Sequence, residues 1–144
     1  MSTGWTEINA FWEGDMGFTA QNQEGATIPV GTVDGKPAIG PMQLLLVGVA
    51  TCTGMDIVSI LKKKRIELAD FRVRVKANRA DTYPMVYTEI QVEYLLWGED
   101  LKPKDVEQAI QLSEDKYCSA GIMIRKATPI QSSYRILKPG EKAD

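Results

Sequence analysis

An α+β fold is the expectation for this chain, and three observations predict it. Residues 71–77, Phe-Arg-Val-Arg-Val-Lys-Ala, alternate strictly between apolar and basic side chains, and residues 86–97 alternate too, which is the period of strands with one covered face. Residues 42–64 are apolar nearly all round, as in a helix enclosed on every side. Residues 102–117 return to a helical period, with Val106, Ala109, Ile110, Ser113 and Tyr117 sharing one face. Strands, helix, strands, helix in that order segregate the two kinds of element instead of interleaving them.

Each element has a local reason. Residues 5–12 read as a first strand, and 16–22 and 26–33 as two more, separated by the turn signal Asn22-Gln23-Glu24-Gly25. Residues 33–41 are loop-like: Asp34-Gly35 favours a turn and Pro41 is suited to open a helix. The helix that follows belongs inside protein or inside lipid. Its length matches a bilayer, and Lys62-Lys63-Lys64-Arg65 would serve as an anchor. Gln43, Thr51, Thr53, Asp56 and Ser59 interrupt the run, however, and a carboxylate such as Asp56 is expensive in hydrocarbon, so a protein core is the preferred setting. Asp81 and Pro84 in the short connection at 80–85 make the two alternating segments a hairpin. Pro103 sits near the first turn of the amphipathic helix, 119–126 form a short second one, 130–136 a last strand, and 138–144 a loose tail.

At 144 residues and 44% apolar, the chain is expected to form a single domain, 1–144, with a core of ordinary size. A net charge of −2 gives no general attraction to nucleic acid or to an anionic membrane, and neither is expected as a partner. The segment from Met1 to Glu7 has neither the basic nor the apolar stretch of a leader, which makes the cytoplasm the expected compartment, where thiols stay reduced. The chain has no histidine, which excludes Ser-His-Asp and Cys-His catalysis and His-zinc sites. Two cysteines far apart make no zinc site, and neither a GxGxxG pattern nor a P-loop occurs, so neither a metal nor a bound cofactor is expected.

Cys52 and Cys118 are the candidate catalytic residues. Cys52 lies in the apolar helix among Gly48, Ala50, Thr51, Thr53 and Gly54, a cluster that lets another element or a substrate approach the backbone closely. Taken alone, these residues fit tight helix packing somewhat better than an accessible thiol. Cys118 ends the amphipathic helix and starts the short one, where it is either a small buried residue or a thiolate favoured by a helix dipole. Spacing does not say whether the two meet. Asp56, one turn from Cys52, reads as a buried anchor bonded to a backbone group or to a basic side chain. The basic run 62–65 reads as the solvated end of the helix.

Two blocks of residues carry a family resemblance. Gly40-Pro41-Met42-Gln43-Leu44-Leu45-Leu46 followed by Thr51-Cys52-Thr53-Gly54-Met55-Asp56-Ile57-Val58-Ser59-Ile60-Leu61, and then Ala109 to Ser119, resemble the OsmC/Ohr superfamily in motif and order over nearly the whole chain. The resemblance implies antiparallel sheets wrapped around a long buried central helix in an intertwined homodimer. It also implies a thiol-dependent peroxidase acting on organic hydroperoxides. Cys52 would be the peroxidatic thiol, oxidised to a sulfenic acid, and Cys118 the resolving thiol that closes a disulfide. A dithiol or lipoyl-protein reductant would reopen it.

The chain also departs from the pattern. Met42 stands where the hydroperoxide-resistance branch has a glutamate, and Gln43 where the branch resembled here more often has one. Met16-Gly17-Phe18-Thr19 occupies the region expected to supply an activating arginine, and no arginine precedes Arg65. The activating Arg–Glu pair is therefore unmatched, which implies a weakly activated thiol unless Arg72, Arg74 or Arg125 substitutes. The alternative is a non-peroxidase of the same fold that binds a small apolar ligand at the dimer interface.

Overall fold

The computed structural model describes residues 4–144; residues 1–3, at the head of the segment expected to lack a leader, lie outside the described residues. Residues up to Leu45 form one compact unit and Leu46–Asp144 a second.

The first unit is a four-stranded sheet, β1 (Ile8–Trp12), β2 (Gly17–Asn22), β3 (Thr27–Val33) and the short β4 (Lys36–Pro37), paired in chain order. All three pairings are antiparallel. The turn signal at 22–25 works through its asparagine: the Asn22 carboxamide oxygen accepts from the backbone N–H of Glu24 at 3.1 Å and of Ala26 at 2.8 Å. Gly17 faces Gly31 in the ladder, and Gly31 has a φ of +85°. A Cβ at Gly31 would lie 2.1 Å from the Met16 carbonyl oxygen, so only glycine permits this approach. The first strand is shorter than its predicted span and leaves Trp5 in an exposed lead-in. Ile8, Phe11, Trp12, Met16 and Phe18 are also exposed.

Helix α1 (Pro41–Lys63) starts at the predicted proline. The Gln43 side chain folds back to accept from the Gly40 N–H at 2.7 Å, so the residue in the family's acidic position caps its own helix. The helix ends at Arg65, whose φ of +61° lets the Ile66 N–H reach the Leu61 carbonyl.

In the second unit, β5 (Asp70–Arg79), β6 (Tyr87–Trp97) and β7 (Ile130–Leu137) form a three-stranded sheet with β6 in the centre. The expected hairpin pairs Asp70 with Trp97 through Arg79 with Tyr87, shifting register at Asn78/Arg79. That shift puts Tyr87 inside and leaves Val86 outside the strand and exposed, whereas the alternation places Val86 on the covered face. The last strand joins parallel to β6, a direction that the alternation of its residues does not specify. From Tyr94 to Trp97 both faces of β6 are covered: Leu95 and Trp97 pack with Leu137 and, from the tail, Ala143. The tail is tied down by Trp97 Nε1, which donates to the Glu141 carbonyl at 2.6 Å, and by Arg74 on Asp144 at 3.0 Å.

Between β6 and β7 lie α2 (Pro103–Leu112), a π-helical turn (Ser113–Tyr117) and α3 (Ser119–Arg125). α1 buries Val49, Thr53, Gly54, Ile57 and Leu61. At Gly54 an added methyl group would already touch Val73 at 3.5 Å and Phe71 at 3.7 Å, so β5 passes close over the helix there. Leu45, Val47, Met55 and Val58 remain exposed, Met55 at 72%; the burial expected all round the helix is met on one face by its own chain. By length and composition α1 could cross a bilayer, but that buried face lies among protein side chains.

Leu96, on the central strand, has no exposed surface. Leu96→Ala should lower the unfolding free energy by about 2–5 kcal/mol in urea titration. A loss under about 1 kcal/mol, the net worth of a single hydrogen bond, would mean that the strand is not the core this packing makes it.

Candidate active site

The π-helical turn decides where the second thiol points. Continued as an α-helix, α2 would carry Tyr117 on the face of Val106, Ala109, Ile110 and Ser113, as the periodicity predicts. Those four are buried, but Tyr117 is 49% exposed. A π turn inserts one extra residue, which rotates everything after it by about 100° relative to an α-helix. Tyr117 swings outward and Cys118 turns in, with no exposed surface at all. The Cys118 N–H closes the turn on the Ser113 carbonyl at 2.6 Å. Cys118 then caps α3, its sulfur accepting from the Gly121 N–H at 3.3 Å. A Cβ at Gly121 would lie only 3.1 Å from that sulfur, so glycine leaves the room the thiol occupies.

α1 supplies the other half. Cys52 is partly buried, and its neighbour Thr53 is buried and places Oγ1 3.0 Å from the Cys118 sulfur. The two thiols are unbridged and near enough to interact directly. Burial pushes the Cys118 thiol up from its ordinary value; hydrogen bonds from Thr53 and Gly121 oppose that, and hydrogen bonding and charge from Cys52 add to it. Desolvation prevails, so Cys118 is held as a thiol. The structure thus brings together the two cysteines that spacing alone left apart.

A polar network stands behind the thiols. Tyr94, on β6, is buried, and its hydroxyl donates to Glu114 Oε2 at 2.9 Å. Thr53 is near enough to Tyr94 to favour its ionised form slightly. Burial and the Glu114 charge raise Tyr94 far above the ordinary tyrosine value, so it stays neutral. Glu114 Oε1 lies 3.1 Å from the Ser132 hydroxyl and 3.6 Å from Arg125 Nη2. Asp56 is an anchor, but half-buried rather than buried, and its partner is a hydroxyl rather than a backbone group or a cation: Ser113 Oγ donates to it at 2.8 Å. Lys64, in the run expected to be merely solvated, reaches Asp105 at 3.4 Å and also contacts Gln108.

The candidate substitutes for the missing arginine all have other partners. Arg125 pairs with Glu114, Arg74 with Glu93 and Asp144, and Arg72 lies 5.5 Å from the centre of the Trp97 ring. No cluster of His, Cys, Asp or Glu with metal-binding geometry occurs among the described residues. Sequence reading names Thr53 only as a small polar residue beside Cys52, and gives no role at the site to Thr53, Tyr94 or Glu114. Tyr94 carried the one available signal, a phenol in an otherwise apolar stripe, whose hydroxyl must find a partner when buried.

Residues 33–133 match the OsmC-like protein family. The chain belongs to that family. Protein YhfA of Escherichia coli K12 is 32% identical over 126 residues, covering 88% of this chain and 94% of that one. The crystal structure of a hypothetical protein from Aquifex aeolicus superposes with a TM-score of 0.84 at 31% identity, covering 97% of this chain and 100% of that one. The organic hydroperoxide resistance protein OhrB of Bacillus subtilis shares the fold, with a TM-score of 0.62 at 15% identity over 93% of this chain and 100% of its own. The OsmC-like fold, with two sheets and a long central helix, is therefore the one the motifs imply.

The unequal exposure of the thiols has two measurable consequences. A small alkylating reagent should modify Cys52 well before Cys118 in the native reduced protein, read by peptide mass; equal rates would show that Cys118 is not sealed. A thiol held protonated by the fold ionises first in the unfolded chain, so folding stability should be full below the ordinary thiol value of about 8.5 and decline above it. Cys118→Ala, which has nothing to ionise, should flatten that decline in urea titrations at successive pH values.

Proposed function

We propose that this protein is a thiol-dependent peroxidase that reduces organic hydroperoxides through Cys52 and Cys118, acting as a cytoplasmic homodimer. The observation that carries the reading is the meeting of a partly exposed thiol with a sealed one, held in register by Thr53. Cys52, the reachable sulfur, attacks the peroxide as thiolate. The O–O bond breaks, the alcohol leaves with a proton from solvent, and Cys52 becomes a sulfenic acid. Cys118 then attacks that sulfur, and the hydroxyl departs as water, leaving a disulfide. A dithiol or lipoyl-protein reductant restores both thiols by exchange and is itself oxidised to the disulfide. The name of the Bacillus subtilis relative points to the same substrate class.

The same reading makes the enzyme slow. Gln43 caps α1, and Arg72, Arg74 and Arg125 are engaged elsewhere, so the Arg–Glu device for activating Cys52 has no counterpart among these residues. The exposed apolar residues Met55 and Val58 on α1 support the homodimer, since a permanent interface typically buries more than ~2,000 Å². A second reading has its own observation. Met55, Val58, Phe71 and Val73, together with Ser59 and Lys62, line a mostly apolar groove of about 640 Å³ against α1, the helix that carries Cys52, which suits a small apolar ligand.

One equivalent of cumene hydroperoxide should remove both free thiols and yield an intrachain Cys52–Cys118 disulfide in the peptide map. Cys118→Ser should stop at a sulfenic acid on Cys52 that dimedone traps. A reduced protein that leaves the hydroperoxide unconsumed would reject the peroxidase and favour the binding reading. Sedimentation should show a dimer at micromolar concentration that Met55→Glu weakens; a stable wild-type monomer would reject the assembly.

A further inference from the structure

Cys118 has a proton to lose and no water to take it. Its sulfur is sealed, yet it must become a thiolate to attack Cys52, and burial opposes that ionisation. The groups that touch it lead in one direction. Thr53 Oγ1 lies 3.0 Å from the sulfur and has Tyr94 as a neighbour that its hydroxyl influences, and the Tyr94 hydroxyl lies 2.9 Å from Glu114 Oε2. Thr53 and Tyr94 are buried, whereas the Glu114 side chain retains 16% of its surface. Thr53 has one proton and two acceptors, the sulfur and the Tyr94 oxygen, so it can serve only one at a time. Each choice suits one state of Cys118. When Cys118 is a thiolate, Thr53 donates to sulfur; when it is a thiol, S–H points at Thr53 Oγ1 and Thr53 donates onward to Tyr94.

We propose that Thr53, Tyr94 and Glu114 form a proton relay that deprotonates Cys118 for disulfide formation. The proposal rests on Cys52 and Cys118 acting as a redox pair, not on the identity of the oxidant. The Cys118 proton passes to Thr53 Oγ1, the former Thr53 proton to Tyr94 Oη, and the former Tyr94 proton to Glu114 Oε2. The result is a thiolate, two intact hydroxyls and one carboxylic acid, with no atom unaccounted for. Tyr94 suits the middle position because its surroundings keep it neutral, so it passes a proton without storing charge. Glu114 suits the end because it reaches solvent, where the proton is released. Thr53 touches the reacting sulfur directly; Tyr94 and Glu114 are positioning residues that act through it.

The test separates this step from peroxide chemistry. Reduced protein is treated with dithiobis(nitrobenzoate), which makes a mixed disulfide on the exposed Cys52 and releases one coloured thiolate. Cys118 then attacks the Cys52 sulfur, closes the disulfide and expels the second, so two phases of colour report the two cysteines. Thr53→Val should leave the first phase nearly unchanged and slow the second by ~10-fold or more, the scale on which a positioned acid or base acts, while Thr53→Ser restores it. Tyr94→Phe and Glu114→Gln should slow the same phase, and a solvent deuterium effect on the wild-type second phase should vanish in Thr53→Val. Thermal melts verify folding, and Tyr94→Phe and Glu114→Gln carry the test if Thr53→Val does not fold. A second phase indifferent to Thr53, Tyr94 and Glu114, or one that Thr53→Ser does not rescue, overturns the relay, as does a wild-type protein with no second phase. A protein that shows the Thr53-dependent second phase yet reduces no hydroperoxide keeps the relay and loses the peroxidase reading.

Discussion

Placing a thiol where water cannot reach it forces the surroundings to do what solvent would otherwise do. A buried sulfur with no donor nearby would be inert, another small apolar group in the core. Cys118 is buried but has two donors aimed at it, the Thr53 hydroxyl from α1 and the Gly121 amide from α3. These two contacts join the central helix to the segment between β6 and β7. Gly121 is small so that the sulfur fits, Tyr94 is set in the sheet to meet Thr53, and the turn at 113–117 aims the thiol.

The balance of forces on the two sulfurs differs, and so does what each can do. Desolvation dominates at Cys118, outweighing its hydrogen bonds, which suits a group that reacts only when its partner is already placed. Cys52 lies partly open, on the helix that forms one wall of an apolar groove. Several carboxylates and guanidiniums of this unit are spent on one another. Glu114 holds Arg125, and Glu93 draws Arg74 and Arg135. The more exposed of these pairs, such as Arg135 with Glu93, contribute little to stability.

Much of the architecture was legible because it follows from period and punctuation. Pro41 and Pro103 open helices where proline is tolerated, and the Phe71–Ala77 alternation is a strand because its two faces meet different solvents. What period misses is a break in period. The sequence Ser113-Glu114-Asp115-Lys116-Tyr117 offers no glycine or proline to mark a π turn, so the face predicted for α2 runs one residue too far, to Tyr117. The direction of β7 was hidden for a related reason: parallel and antiparallel neighbours present the same alternation. Cys52 and Cys118 were legible as reactive types but not as a pair, since their meeting depends on that turn. Thr53, Tyr94 and Glu114 were hidden because a hydroxyl or a carboxylate acquires its meaning from what lies beside it in space.

The π turn also bears on how this protein can change over generations. Substitutions at 115–117 alter exposed side chains, and they leave the rotation of the chain as it is. A one-residue deletion there is a different event. It would turn Cys118 away from Thr53 by about 100° in a single step, with no intermediate geometry through which selection could compensate gradually. What is inherited at this site is thus a distance along the chain as much as a set of residues. Lineages that keep the pair of thiols should hold the number of residues between Leu112 and Cys118 fixed, keep Ser113 and Glu114 for their contacts, and vary the exposed letters 115–117.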